Sequence, residues 1–81
     1  MTRPASEFPA LKAQEVLRLL RKIGYHEVRR RGSHRTLEAE GRGRIRFAWH
    51  DGREVPPRYL RDMLVEAARL SDEEISSLLK R

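Results

Sequence analysis

With 81 residues, of which 37% are charged and 38% hydrophobic, the chain has room for one domain around a thin core. The absence of cysteine excludes disulfides, thiolate nucleophiles and cysteine-based metal sites. Eighteen Lys and Arg against 12 Asp and Glu give a formal net charge of +6, which favours a polyanionic partner such as nucleic acid, anionic lipid or an acidic protein.

No part of the sequence is typical of a leader or a membrane span. The first ten residues have no apolar stretch behind their one arginine, and no apolar run approaches about 18 residues. We therefore expect a cytoplasmic protein with no membrane partner. Residues 1–8 contain Pro4 and no periodic apolar pattern, which predicts a flexible tail before a single domain at 9–81.

The first predicted element is an amphipathic helix at 12–23. Apolar residues recur there at intervals of three and four, namely Val16, Leu17, Leu19, Leu20 and Ile23. Gly24 suits the position just past a helix, where a positive φ is common, and Tyr25 can pack back on the last turn. We expect the helix to end there.

The next stretch predicts three antiparallel strands, at 25–31, 34–39 and 44–48. In the third strand Ile45 and Phe47 alternate with arginines, so apolar and basic side chains should point to opposite sides. By the same alternation Leu37 faces away from His34. One face of the sheet should therefore be apolar and the other basic, with His34 on or near the solvated face.

Two helices are predicted after the strands. Pro56 and Pro57 suit a helix entry, and apolar residues follow at helical spacing: Leu60, Met63, Leu64, Ala67 and Ala68. Ser71 and Glu74 form a capping box in front of a short terminal helix. The fold class is thus α+β, in the order α-β-β-β-α with a short extra C-terminal helix, and the helices cover one face of a three-stranded antiparallel sheet.

Positive charge is concentrated in the predicted strands. Seven arginines lie between His26 and Arg46: Arg29, Arg30, Arg31, Arg35, Arg42, Arg44 and Arg46. Arginine suits two-pronged phosphate recognition, although a GC-rich genome would explain its excess over lysine equally well. Each arginine taken alone fits a solvated strand face, whereas the group favours a nucleic-acid partner.

The stretch 12–69 resembles the HicA toxin family. The resemblance is carried by LRLLRKIGY, by EVRRRGSH at 27–34 with its Gly-Ser-His triplet between two predicted strands, and by the strand pair that leads to His50. It implies a fold like the double-stranded RNA-binding domain and cleavage of mRNA without a metal or other cofactor. It also implies a HicB-type antitoxin encoded beside the toxin.

The resemblance further implies roles for individual residues. Gly32 would form the turn, Ser33 would stand beside the catalytic position, and His34 would be the catalytic histidine. His50 matches a second family histidine after the third strand. The sequence departs from the family in having Ala48 two places before His50, where members often have proline.

RNA can be cleaved without a metal because its own 2′-hydroxyl can attack the adjacent phosphorus. His34 is the candidate proton acceptor, since a histidine with a pKa near 6.5 exchanges protons at neutral pH. The residues expected to bind RNA or support the site are Gly32, Ser33, Arg29, Arg31, Arg35, Arg42, Arg44, Arg46 and His50. The sequence contains no His-x-x-x-His pattern or clustered carboxylates, so we predict no metal site.

Other interpretations remain open at this point. Without the resemblance, His34 would be read as a surface residue near a turn, and His50 fits ligand, phosphate-contact and loop roles equally. Trp49 fits either stacking on an unpaired base or partial burial in the core. The alternatives to a ribonuclease toxin are a noncatalytic RNA-binding module on the same basic face and a protein-interaction domain that receives an acidic antitoxin.

Overall fold

The computed structural model describes residues 4–48, 50 and 52–80. In chain order these residues form a 3-10 turn (Ala5–Glu7), β1 (Leu11–Lys12), α1 (Ala13–Lys22), β2 (His26–Arg31), β3 (His34–Glu38), β4 (Ile45–Ala48), β5 (Glu54–Val55), α2 (Pro57–Arg61) and α3 (Asp72–Leu79). A π-helical turn, Asp62–Ala67, continues α2. The predicted α+β class and the α-β-β-β-α order with an extra C-terminal helix are confirmed.

Helix α1 forms where the apolar spacing predicts it. Its buried side chains include Val16, Leu17 and Leu20, which lie on one stripe of the helix. At its end the N–H of Tyr25 donates to the carbonyl of Leu20 at 3.0 Å, and the N–H of Gly24 donates to that of Arg21 at 3.1 Å. These are the two hydrogen bonds of a Schellman motif, and Gly24 adopts the required positive φ of 100°.

The main sheet has three antiparallel strands in the order β2-β3-β4. Leu37 of β3 pairs with Ile45 of β4, and both side chains are buried on the face that the helices cover. The largest fully buried side chains come from α1, β3, α2, the π-helical turn and α3: Val16, Leu20, Leu37, Leu60, Leu64 and Ile75. The full burial of a side chain of this kind contributes about 1.5–3 kcal/mol, so the helices are held on the sheet chiefly by this core.

The structure adds a second ladder that the sequence did not predict. Strands β1 and β5 pair antiparallel, with Leu11 opposite Val55 and Lys12 opposite Glu54. Two-residue strands are too short to show a periodic pattern. The pairing ties the start of α1 to the start of α2.

The helix after Pro57 also departs from the simple prediction. Ala68 donates to the carbonyl of Met63 at 2.9 Å, five residues back, as in a π-helix. Arg69 then takes a positive φ of 57° and ends the helix. Leu60, Met63, Leu64 and Ala68 are nevertheless buried as the apolar spacing predicts.

The loop between β3 and β4 joins the sheet to the helix ends. Gly43 donates to the carbonyl of Ala67 at 2.8 Å, and the hydroxyl of Tyr25 donates to the carbonyl of Gly43 at 2.6 Å. The pKa of Tyr25 is raised because the residue is buried, and the positive charges of Arg42 and Arg69 offset only part of this rise. A Cβ on Gly43 would lie only 2.9 Å from the Ala67 carbonyl oxygen, so this close approach requires glycine.

The structure describes part of the N-terminal segment. Of the predicted tail at 1–8, residues 1–3 lie outside the described residues. Ala5–Glu7 forms its 3-10 turn, and Phe8 is buried with 5% of its surface exposed. The packed domain therefore includes Phe8. Within the described residues, the helices all fall short of the length and apolar character that a membrane span requires.

Candidate active site

The solvent side of the main sheet carries a basic surface. We define the basic face as Arg29, Arg31, His34, Arg44 and Arg46. These residues, with Val28, Thr36 and Glu38 among others, line a shallow groove of about 500 Å³. His34 itself is exposed, so a large ligand can approach the imidazole directly.

A two-residue hairpin turn places His34 on this face. Arg31 and His34 pair directly across the turn that Gly32 and Ser33 form. Gly32 has a φ of 60°, whereas Ser33 does not have a positive φ, which is the pattern of a type II′ turn. Gly32 thus lies in the turn with a positive φ, and the turn sets the register in which Arg31 and His34 share one face.

The central strand puts Arg31 and Arg46 close to His34, one from each neighbouring strand. His34 lies between Arg31 and Ala48 in the sheet, and Thr36 lies between Arg29 and Arg46. Directly opposite residues have Cβ atoms about 4.5–5.5 Å apart, and diagonal neighbours are within reach of long side chains. A phosphate beside His34 can therefore meet guanidinium groups from both flanking strands.

A β-bulge at Val28 keeps this arrangement compatible with the core. The register shifts between Glu27 and Arg29, so Val28 is the extra residue in β2. Between the bulge and the turn, Arg29 and Arg31 are exposed to solvent. Before the bulge, Tyr25 is buried in the core. Without the extra residue, the alternation that begins at the turn would direct Tyr25 outward. Val28 itself is 45% exposed and lines the groove.

An ion pair occupies the end of the groove that is far from the turn. The Nη2 atom of Arg44 lies 2.6 Å from Oε2 of Glu38, and Nε of Arg44 donates to the same oxygen at 2.8 Å. The pair is largely solvent-exposed, so it adds little stability. It offsets the charge of Arg44 and leaves the strongest positive character at the turn end, near His34.

Arg35, which the sequence grouped with His34, is held on the other face. It pairs in register with Phe47, and its Nη1 atom lies 2.8 Å from Oε1 of Glu27. Only 14% of the Arg35 side chain is exposed. Arg35 also lines the groove, but its guanidinium is paired with Glu27.

Arg42 is also absent from the basic face. Its Nε atom donates to the carbonyl of Ile23 at 3.2 Å, and its Nη1 atom donates to the carbonyl of Ala68 at 2.7 Å. These carbonyls belong to the C-terminal caps of α1 and of the π-helical turn. A cation at this position satisfies unpaired carbonyls and complements both helix dipoles. The structure therefore gives Arg42 a structural position.

His50 lies near the basic face but in another groove. This second groove, of about 630 Å³, runs between β4 and α2, and His50 is exposed there. Arg46 lines both grooves. His50 and His34 thus line different grooves. Trp49, for which the sequence left stacking and burial open, lies outside the described residues.

Thr36 and Val28 line the His34 groove and were missed by the sequence reasoning. Period-two alternation from His34 would have found Thr36, whereas Val28 depends on the bulge. Among the side chains that the structure describes, His, Asp and Glu form no group of three or more that could hold a metal ion.

Fold and site together define a small α+β domain of the double-stranded RNA-binding type, with one open basic sheet face. A family model described as HicA toxin of bacterial toxin-antitoxin matches residues 13–68, which is more than two thirds of the chain. The chain belongs to the HicA toxin family. It therefore carries the toxin domain of a toxin-antitoxin system, whose partner is an antitoxin. No curated protein and no solved structure matches the chain.

Proposed function

We propose that this chain is a cytoplasmic mRNA interferase, an endoribonuclease that cleaves mRNA without a metal and uses His34 as its catalytic residue. The observation that carries the proposal is the shared face of His34, Arg29, Arg31 and Arg46 on an open groove. The groove lies on the solvent side of the sheet, where a polymer can approach it. Its proton-accepting group stands among cations that can hold phosphates.

The proposed reaction is an internal transesterification. The imidazole of His34 takes the proton from the ribose 2′-hydroxyl, and the 2′-oxygen forms a bond to the adjacent phosphorus. The bond from phosphorus to the 5′-oxygen of the next nucleotide breaks, and that oxygen leaves with a proton from the imidazolium or from water. The products are a 2′,3′-cyclic phosphate and a 5′-hydroxyl end. Arg31 and Arg46 offset the charge that develops on the phosphate oxygens.

The partner of this toxin is proposed to be a HicB-type antitoxin encoded beside it. An acidic surface on that antitoxin would complement the positive charges of the basic face. Such a complex would cover His34, because the histidine lies within the groove that those arginines line.

A noncatalytic RNA-binding module is the main alternative. The exposed position of His34 supports it, since the same groove can bind phosphates with no proton transfer. A domain that serves only to receive an acidic antitoxin is a third possibility. A short neighbouring reading frame of the antitoxin type would favour both toxin interpretations over the RNA-binding module.

The deciding experiment compares two histidine variants in a cleavage assay in EDTA. His34→Ala should abolish cleavage and relieve growth arrest of a bacterial host, because it removes the proposed proton acceptor. His26→Ala is the matched control: His26 is an exposed histidine of the same sheet, pairs with Glu38 at the far end, and does not line the groove. It should cleave like the wild type.

Two further outcomes would contradict the mechanism. If folded His34→Ala cleaves RNA and arrests growth as the wild type does, His34 is not catalytic. A substrate with 2′-deoxyribose at the scissile nucleotide should bind but resist cleavage, because the phosphate contacts remain and the attacking oxygen is gone. Efficient cleavage of that substrate, or a loss of activity in EDTA that zinc or magnesium restores, would show that the reaction takes another course.

A further inference from the structure

The second groove has features that the proposed cleavage reaction does not use. It runs along β4, the edge strand of the main sheet, and is closed on its other side by β5 and α2. Its volume of about 630 Å³ is within the range of small-ligand pockets, roughly 300–1,000 Å³. It is lined mainly by apolar surface that includes the aromatic rings of Phe47 and Tyr59.

Tyr59 is an exposed aromatic residue on this groove. The residue is 52% exposed, whereas Phe8 and Tyr25 are buried. The guanidinium carbon of the neighbouring Arg58 lies 5.6 Å from the centroid of the Tyr59 ring. An exposed ring at the wall of an apolar groove is a platform on which another planar group can stack.

Arg46 connects this groove to the candidate active site, since its side chain lines both. A phosphate held by Arg46 on the basic face would have its nucleoside within reach of the second groove. We propose that the groove between β4 and α2 holds one unpaired nucleobase of the RNA strand whose phosphates lie on the basic face, with the base stacked on Tyr59. This inference rests on the proposed RNA-cleaving function and adds a specificity site to it.

The charges along the groove favour a base over a phosphate as its occupant. Two carboxylates, Glu54 and Asp62, lie along the groove beside two arginines, Arg46 and Arg53, so their formal charges cancel and leave no positive excess to attract a phosphate. A nucleobase is neutral, has two flat apolar faces and carries amino groups that donate to carboxylates. Glu54 is exposed and can accept such a hydrogen bond, which would select bases with an exocyclic amino group. Because the base must leave any duplex to enter, the site would direct cleavage to single-stranded RNA.

The test uses the full chain with His34→Ala as background, so that bound RNA is not cut. A short single-stranded oligoribonucleotide is prepared in versions with 2-aminopurine at one position each, and the fluorescence change on binding is measured for every version. Stacking on Tyr59 should quench 2-aminopurine strongly at one position. Adding Tyr59→Ala should abolish that quenching and weaken binding by about 5-fold to 150-fold, which corresponds to the range of about 1–3 kcal/mol for loss of one stacked base.

Tyr59→Phe is the matched control, because it keeps the ring and removes only the hydroxyl. It should retain both the quenching profile and the affinity. The proposal is overturned if no position is selectively quenched, or if Tyr59→Ala and Tyr59→Phe give the same profile. It is also overturned if Tyr59→Ala weakens binding of the antitoxin while RNA binding stays unchanged, since the groove would then be a protein contact.

The two proposals can fail separately. If His34→Ala in an otherwise unchanged chain still cuts RNA and yet shows the Tyr59-dependent quenching, the base site stands and the catalytic role of His34 does not. If the wild type cuts RNA only when His34 is present, but quenching is equal at all positions, the catalytic proposal stands and the base site does not.

Discussion

Arg42 offers a sharp test of the structure, because the sequence and the structure assign it different tasks. The sequence groups it with the RNA-binding arginines. In the fold its guanidinium donates to the carbonyls of Ile23 and Ala68, at 3.2 and 2.7 Å. Arg42→Ala should therefore destabilise the domain and leave RNA binding by the folded protein nearly unchanged.

The size of the effect follows from these two contacts. A hydrogen bond that involves a charged group contributes about 1.5–3 kcal/mol, and a favourable helix-dipole interaction about 0.3–1 kcal/mol. Arg42 is only half-buried, so water can replace part of what is lost. We expect a loss of about 2–3 kcal/mol, which for a domain of this size lowers Tm by about 10–20 °C.

The measurement is thermal unfolding of three variants. Arg42→Lys keeps the charge but cannot span both carbonyls with a planar fork, so it should lose much of the same stability. Arg44→Ala removes an equal charge whose partner, Glu38, lies in an exposed pair, and should change the free energy of unfolding by less than about 1 kcal/mol. If Arg42→Ala were as stable as the wild type and bound RNA with a weaker salt dependence, the structural role would be refuted.

Three other predictions follow from the described contacts. Gly43→Ala should lower the free energy of unfolding by about 1–3 kcal/mol, because the new Cβ would clash with the Ala67 carbonyl. Gly41→Ala should lower it by about 1 kcal/mol, because the site has open space but its φ of 75° is strained for alanine. The Ser71 backbone N–H, and then its hydroxyl, lower the pKa of Glu74 from its ordinary 4.5. That stabilisation is full above pH 4.5 and is lost as pH falls through the lower folded pKa, so Glu74→Gln should flatten this part of the curve of stability against pH. The four arginines of the basic face predict a log-log salt slope of RNA affinity near −2.8, at about 0.7 per phosphate; a slope near zero would contradict electrostatic binding.

The elements of the fold were largely predictable because they depend on local patterns. The stripe from Val16 to Leu20 specifies a helix whatever it packs against, and Gly24 stops it through its own backbone freedom. The capping box of α3 forms as expected, with Ser71 and Glu74 exchanging hydrogen bonds of 2.9 and 3.1 Å. Elements defined by contacts distant in sequence were not predictable: the β1–β5 ladder joins residues more than 40 positions apart.

The same division applies to the candidate site. The alternation of strand residues determined that His34 and Arg46 share a solvated face opposite Leu37, because side chains in a strand change sides at every residue. The same alternation placed Arg35 on the opposite face from His34, whereas only the tertiary structure decided the position of Arg42. Arg35 forms an ion pair with Glu27, and Arg42 donates to carbonyls at two helix ends. An arginine binds the carboxylate or unpaired carbonyl that the folded chain brings within reach. Sequence therefore determined which residues can face the solvent, and the packing of the helices on the sheet decided which of their charges remain available to a ligand.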